Sequence, residues 1–468
     1  MNRFLSDPLR CIALAGVLLL VVSLSDVPEL WAASFAAFIL AVLALGWHRS
    51  PPVLVWIVAF NMLSIWADIA IIDLTKQGWA TVPIELNQED AIYFSSCALL
   101  FLALGMRLGE SIGAAWIPLR SRLRAEEMRG HSHWSPRRIA LGYFAFIPLG
   151  VVANVVGGAL PGLTQPLYAL GLLKFVLIYW LSATIFSANK GYVWLVVVIA
   201  AELVMGSTGA FASYKEGFFV VLIAFAGSNR RLSLPQLSLA LAGCALIVYM
   251  SLVWSVVKQE YRSQIMGQSD LNSVAWLGGK YFGGDVDFQN AALTLLQRIG
   301  YTKFYAMVLN SNTEQLKGIY ARAVLHVLTP RLLFPEKAIL DDSKQTNEAL
   351  GWNIAQGTSI GLGYVAQAHI DFGFPGLLGA MLALGAIVGL MYWYFRSRAG
   401  PAALCDAFAV GCLFNVLPFA GNIDKELGGL IMGFLLMMLV MKFGKDTMLR
   451  LASGQPPRHA AASRAYLS

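Results

Sequence analysis

With 468 residues, 57% of them hydrophobic and only 13% charged, the chain is too apolar for a water-soluble fold, in which about a quarter of residues are charged. Its mean hydropathy of +0.64 and its long apolar runs describe a polytopic membrane protein. The formal net charge of +7 is therefore read as an orientation signal, and no nucleic-acid partner is implied.

Arg3 and Arg10 precede the apolar run 11–22 as in a signal peptide. No small-residue cleavage site follows cleanly, and a second apolar segment begins almost at once, so the run reads as an uncleaved first helix. Segments approaching the ~20 apolar residues that a spanning helix needs lie near 9–25, 29–47, 51–72, 91–113, 138–157, 166–187, 191–207, 216–227, 237–257, 373–395, 402–420 and 426–443. The expectation is an all-α protein with about twelve transmembrane helices. Cys11, Cys97, Cys244, Cys405 and Cys412 all fall in apolar runs without CxxC spacing or a neighbouring histidine. They predict neither a disulfide framework nor a zinc site, and no metal or cofactor is expected.

Basic clusters fix a direction. Arg120, Arg122, Arg124, Arg129, Arg137 and Arg138, then Arg230 and Arg231, Arg396 and Arg398, and Lys445, Arg450, Arg458 and Arg464 fall on one side. The short loop 73–90 on the other side is acidic, with Asp73, Glu85, Glu89 and Asp90 against Lys76. Both termini are thus expected in the cytoplasm, with 206–217 and 258–358 facing out. The chain divides into a bundle of nine spans (1–257), an outer loop (258–358), a re-entrant turn with three more spans (359–443) and a basic cytoplasmic tail (444–468), read as disordered.

The outer loop is too long to be a bare connector. Residues 288–309 and 315–328 carry apolar groups at helical spacing and predict amphipathic helices. Arg322 and His326 share a face there, suited either to lipid headgroups or to a substrate anion. Pro330 must end the second helix. TPRLLFPEK (329–337) then frames Arg331 and Lys337 between prolines, a stiff setting in which a guanidinium can grip phosphate oxygens. Asp341, Asp342 and Glu348 stand nearby, as a base or as charge balance. Beyond them GTSIGLGYVAQAHIDFGFPG (357–376) has too many glycines and polar groups for a lipid-facing helix. Its His369 reads as a general base or a diphosphate contact, with Asp371 to orient it, against the plainer reading of a satisfied structural histidine.

Taken in order, GSTGAFASYKEG (206–217), the long outer loop, TPRLLFPEK and GYVAQAHIDFGFPG (363–376) resemble the O-antigen polymerase family, the oligosaccharide repeat-unit polymerases. The motif-level likeness lies within roughly 200–380. The chain departs from the family in having Thr208 where an arginine often follows Gly-Ser, with Lys215 on the same loop, and Gln367 and then His369 where many relatives have a glutamate. The resemblance implies a GT-C-like architecture in the bacterial inner membrane and a periplasmic glycosyltransferase. Its substrates would be polyprenyl-diphosphate-linked oligosaccharides, with membrane lipid and a chain-length regulator as further partners. It implies Arg331, Lys337, Arg298, Arg262, Lys215 and Arg322 as diphosphate or glycan contacts and His369 with Asp371 as the catalytic pair. The rival readings are an O-antigen ligase, another lipid-phosphate-sugar glycosyltransferase using Asp285 and Asp287 or Glu89 and Asp90, and a lipid-linked sugar transporter. The last would want paired intramembrane charges, and Asp68, Lys174 and Glu202 show no matching partners in the other half.

Overall fold

A computed structural model describes residues 8–46, 52–117, 134–159, 164–208, 214–228, 234–261, 287–311, 316–329, 342–355, 360–398 and 401–453, with a few isolated positions between 275 and 337. The described residues form helices and no strands. In chain order these are α1 (Pro8–Ser23), α2 (Pro28–Ala44), α3 (Pro52–Lys76), α4 (Gln88–Trp116), α5 (Pro136–Ala159) and α6 (Thr164–Gly171). Then come α7 (Leu173–Ala188), α8 (Tyr192–Thr208), α9 (Tyr214–Gly227) and α10 (Leu234–Glu260). Four short helices follow: α11 (Phe288–Ile299), α12 (Thr302–Leu309), α13 (Ile319–Leu328) and α14 (Asp342–Leu350). The chain closes with α15 (Tyr364–Arg398), α16 (Ala402–Leu413) and α17 (Ile423–Ser453).

Each apolar segment read from the sequence carries a helix. Among the described residues five stretches are long and apolar enough to cross a membrane: α3, α4, Ala169–Ala188, α15 and α17. Large side chains such as Leu19, Leu20, Val193, Val196 and Phe443 stand exposed on the outside, as lipid contact permits and water does not. Proline starts α1, α2, α3 and α5, where its missing N–H costs nothing and its fixed φ favours the first turn.

The tightest seam joins α4 to α15. A Cβ at Gly105 would strike the carbonyl of Leu382, and one at Gly109 that of Ala386. From the other side, Gly385 abuts the carbonyl of Leu102 and Gly389 that of Met106. Two small-xxx-small ridges therefore interlock, the arrangement that lets helix backbones touch where no hydrophobic effect draws them together.

The structure alters three expectations. The stretch 360–372 is largely helix where a turn is expected: Gly361 and Gly363 precede a helix that starts at Tyr364, and the kink comes at Gly373, with φ 65° and ψ −176°. Residues 364–372 contain neither Gly nor Pro, and Tyr364 to Ala368 are all buried. The amphipathic run 288–309 is two helices, broken at Gly300 and Tyr301, because the side of α3 holds that turn by hydrogen bonds. The tail is helical to Ser453; Met448 and Leu449 pack on the core, and Ser135 N–H donates to the Ala452 carbonyl at 3.0 Å. Residues 454–468 lie outside the described residues.

The helices α11 to α14 gather where α3 ends and α4, α15 and α17 begin, packing on α3, α4, α15 and α17. This loop end also contains the unwound link 414–422. Buried Leu417 sits there at φ 60°, its N–H donating to Glu426 Oε2 at 2.7 Å and its carbonyl accepting from Asn61 Nδ2 at 2.9 Å.

Candidate functional site

Most polar side chains at the loop end fasten one helix to another. Asp68, fully buried on α3, accepts the N–H and the hydroxyl of Thr302, each at 2.7 Å, and so caps α12. Asp371 does the same for α13: Oδ1 accepts from Gly318 N–H at 2.8 Å and Ile319 N–H at 3.0 Å, and Oδ2 from Tyr320 N–H at 2.7 Å. These are the orphan donors of a helix start, and a carboxylate there also meets the positive end of the helix dipole. At the other end of α13 the Lys337 ammonium donates to the His326 carbonyl. Arg322 turns back to the carbonyls of Leu316 at 3.0 Å and Lys317 at 3.3 Å.

The expected His369–Asp371 pair therefore does not form. Residues two apart on a helix point to nearly opposite sides, and helix 364–372 replaces the turn that would have let them converge. His369 instead faces α12. Its Nδ1 is 2.7 Å from the Tyr305 hydroxyl, and its ring lies over Phe94, centroids 6.0 Å apart and planes at 18°. Burial pushes the Tyr305 hydroxyl far above its ordinary range, so it stays neutral and can donate to or accept from the imidazole. When Nδ1–H donates to Tyr305, Nε2 is left with a free lone pair and can take a proton.

A second cluster is cationic. Lys215 opens α9 and Arg298 lies in the last turn of α11. Desolvation lowers the Lys215 pKa, and the Arg298 charge, close enough to repel it, lowers it further, while Glu216 works in the opposite direction. Beside them Lys174 reaches Glu202 at 3.2 Å and Glu216 at 3.9 Å. Glu202, buried on α8, also accepts from the Tyr143 hydroxyl. Helices α5, α7, α8 and α9 thus meet around one lysine and two glutamates, and the Lys215–Arg298 corner stands beside them.

A third set is a closed polar knot. Asp342 takes Asn422 Nδ2 at 2.9 Å and pairs with Lys425; Gln345 bridges Asp424 and Gln367. The Gln367 side chain accepts the Ile423 N–H at the start of α17 at 2.8 Å. Asp342 is thereby committed to holding α14 on α17, and Glu348 stands 4.0 Å from Lys344.

Of the residues singled out in the sequence, Lys215 and Arg298 come within electrostatic reach of each other, while His369 gains Tyr305 in place of Asp371. Asp371, Arg322 and Lys337 converge on α13, as its fastenings. Arg262, Arg331, Asp285 and Asp341 lie outside the described residues. Asp287 caps its own helix, accepting from Gln289 N–H and Asn290 N–H. Sequence reading missed Tyr305, for which no local pattern exists. It also missed the Lys174–Glu202 pairing, whose signal was present: the two charges sit on consecutive helices joined by a short turn. Among the described residues no group of three or more His, Cys, Asp or Glu is placed to hold a metal.

No known protein family, no curated protein and no solved structure matches the chain. The functional reading accordingly rests on the geometry and on the motif resemblance.

Proposed function

We propose that the chain polymerises polyprenyl-diphosphate-linked oligosaccharide repeat units at the outer face of a bacterial inner membrane, through a GT-C-like bundle of about twelve spans. The observation that carries the reading is the Lys215–Arg298 corner. Two cations within electrostatic reach of each other can share a bound dianion, and a diphosphate is such a group. The corner lies at the end of a lipid-exposed bundle, where a polyprenyl tail can stay in the bilayer while its headgroup reaches the cations.

In this reading the anomeric carbon–oxygen bond to the diphosphate breaks, and Lys215 and Arg298 stabilise the departing charge. The acceptor hydroxyl oxygen bonds to the anomeric carbon, and its proton passes to His369 Nε2. Tyr305 holds the imidazole at Nδ1, and the reaction draws on the tautomer in which Nδ1–H donates to that hydroxyl and Nε2 is open. Asp371 takes no part in the proton transfer; it positions α13.

The test is the length distribution of glycan in cells lacking the chain, complemented with the intact protein or with Lys215→Ala/Arg298→Ala. Single repeat units accumulating with the double variant, at an undiminished membrane level of the protein, support the reading. A normal ladder from the double variant removes the corner from the site. Full-length polymer stranded on its carrier lipid in the deletion cells replaces the polymerase with a ligase.

A further inference from the structure

The start of helix α11 borders a cleft of its own. Its first turn and the loop after α3 enclose a polar cleft of about 230 Å³, lined by Trp79, Thr81, Asp287, Gln289, Asn290 and Leu293 among others. Trp79 is 68% exposed, and Thr81, Asp287, Gln289 and Asn290 are exposed too. The walls of the cleft are joined: Gln289 Nε2 donates to the Trp79 carbonyl at 3.2 Å, and Asp287 Oδ1 is committed to two backbone N–H groups of α11. Asp287 Oδ2 and the Asn290 amide make no hydrogen bond among the described residues.

An exposed indole beside a free carboxylate oxygen, a free amide and a hydroxyl is the chemistry that receives a sugar. The indole face takes the apolar C–H face of a pyranose ring, and carboxylate and amide meet vicinal hydroxyls, as donors and acceptors with fixed geometry. No lysine or arginine lines the cleft, so it is not built for phosphate. Asn290 and Arg298 stand on one helix, eight residues apart, which is about 12 Å along its axis. A saccharide bound in the cleft and a diphosphate at the Lys215–Arg298 corner are thus separated by roughly the length of a short oligosaccharide.

We infer that this cleft is a saccharide-binding subsite, holding the glycan part of the lipid-linked substrate while the cationic corner holds its diphosphate. The inference deepens the proposed function and rests on it for the identity of the sugar. A tryptophan at the end of a membrane helix also serves as an interfacial anchor; the polar residues around it favour the sugar.

The experiment uses the full-length protein in lipid nanodiscs. The probe is the water-soluble oligosaccharide that mild acid releases from the lipid-linked fraction of the cells that make the protein. Intact protein should bind it, with Trp79→Ala and Asn290→Ala each weakening binding about tenfold, the size of one lost contact of this kind. Lys215→Ala/Arg298→Ala should leave binding of the released sugar unchanged and weaken binding of the lipid-linked form. Equal affinity of intact protein, Trp79→Ala and Asn290→Ala overturns the subsite, as does an absence of binding by the intact protein. So does preferential quenching of Trp79 by brominated phospholipid over soluble iodide, read as the difference between intact protein and Trp79→Phe. The polymerase reading fails separately, on full-length polymer formed in cells that lack the chain, which says nothing of whether Trp79 binds sugar.

Discussion

Along α4 and α15 two backbones touch; at the loop end helices are kept apart and joined by side chains reaching across to their ends. The seam uses what a bilayer leaves available, close van der Waals contact between residues that have no side chain to interpose. The loop-end layer uses what the membrane helices can lend it, carboxylates and amides that complete the orphan N–H groups of short helices. Such helices, 8 to 12 residues in α11, α12 and α13, are too short to be stable alone. The difference teaches that charge near a membrane boundary is not by itself a sign of chemistry. Asp68, Asp371, Lys337 and Arg322 all serve helix ends, whereas Lys215 feels the charge of Arg298 and His369 meets a neutral phenol.

The seam should break most completely. In Gly109→Leu the new side chain meets the Ala386 carbonyl, a backbone atom that cannot step aside, and overpacking of this kind costs about 3 kcal/mol or more. Thermal-shift chromatography in detergent should show little folded protein. Gly142→Leu, where a Cβ meets nothing within 4 Å, should behave like the parent. Equal stability of the two variants would mean that α4 and α15 are not in backbone contact.

Within the bundle, the Lys174–Glu202 pair tests a different source of order. Removing one partner leaves a buried charge uncompensated, at a cost of about 3–5 kcal/mol, whereas removing both is often close to neutral. Lys174→Met should therefore unfold at a clearly lower temperature than Lys174→Met/Glu202→Met. A double variant no better than the single one would show that Tyr143, not Lys174, holds Glu202 in place.

How far this was legible in the sequence follows from where each partner lies. Segment positions could be read because apolar runs and proline starts are local. The Lys174–Glu202 contact was within reach, since two helices joined by a short turn run antiparallel and their far halves lie side by side. Asp68 and Thr302 are 234 positions apart, and nothing near either announces the other. The glycines of 357–376 misled in a specific way. Gly361 and Gly363 end the loop and Gly373 makes the kink, but the nine residues between are helical. Helical phase then sends His369 and Asp371 to different neighbours.

That divergence gives the smallest effect and the sharpest test. If Asp371 caps α13, Asp371→Asn keeps one oxygen for two of the three backbone donors and loses the charge and the bond to the third. Its cost should be about 1 kcal/mol, with Asp371→Ala nearer 2. Limited proteolysis should then cut near α13 faster in Asp371→Ala than in Asp371→Asn, and glycan ladders should survive the asparagine in proportion to the folded protein. If instead the carboxylate orients the base, asparagine should abolish polymer while leaving α13 protected, because an amide does not stabilise a protonated imidazole as a carboxylate does. His369→Asn supplies the contrast, since Tyr305 supports an imidazole that asparagine cannot replace as a base. Loss of polymer there, beside its retention in Asp371→Asn, separates the residue that touches the reaction from the one that holds a helix in place.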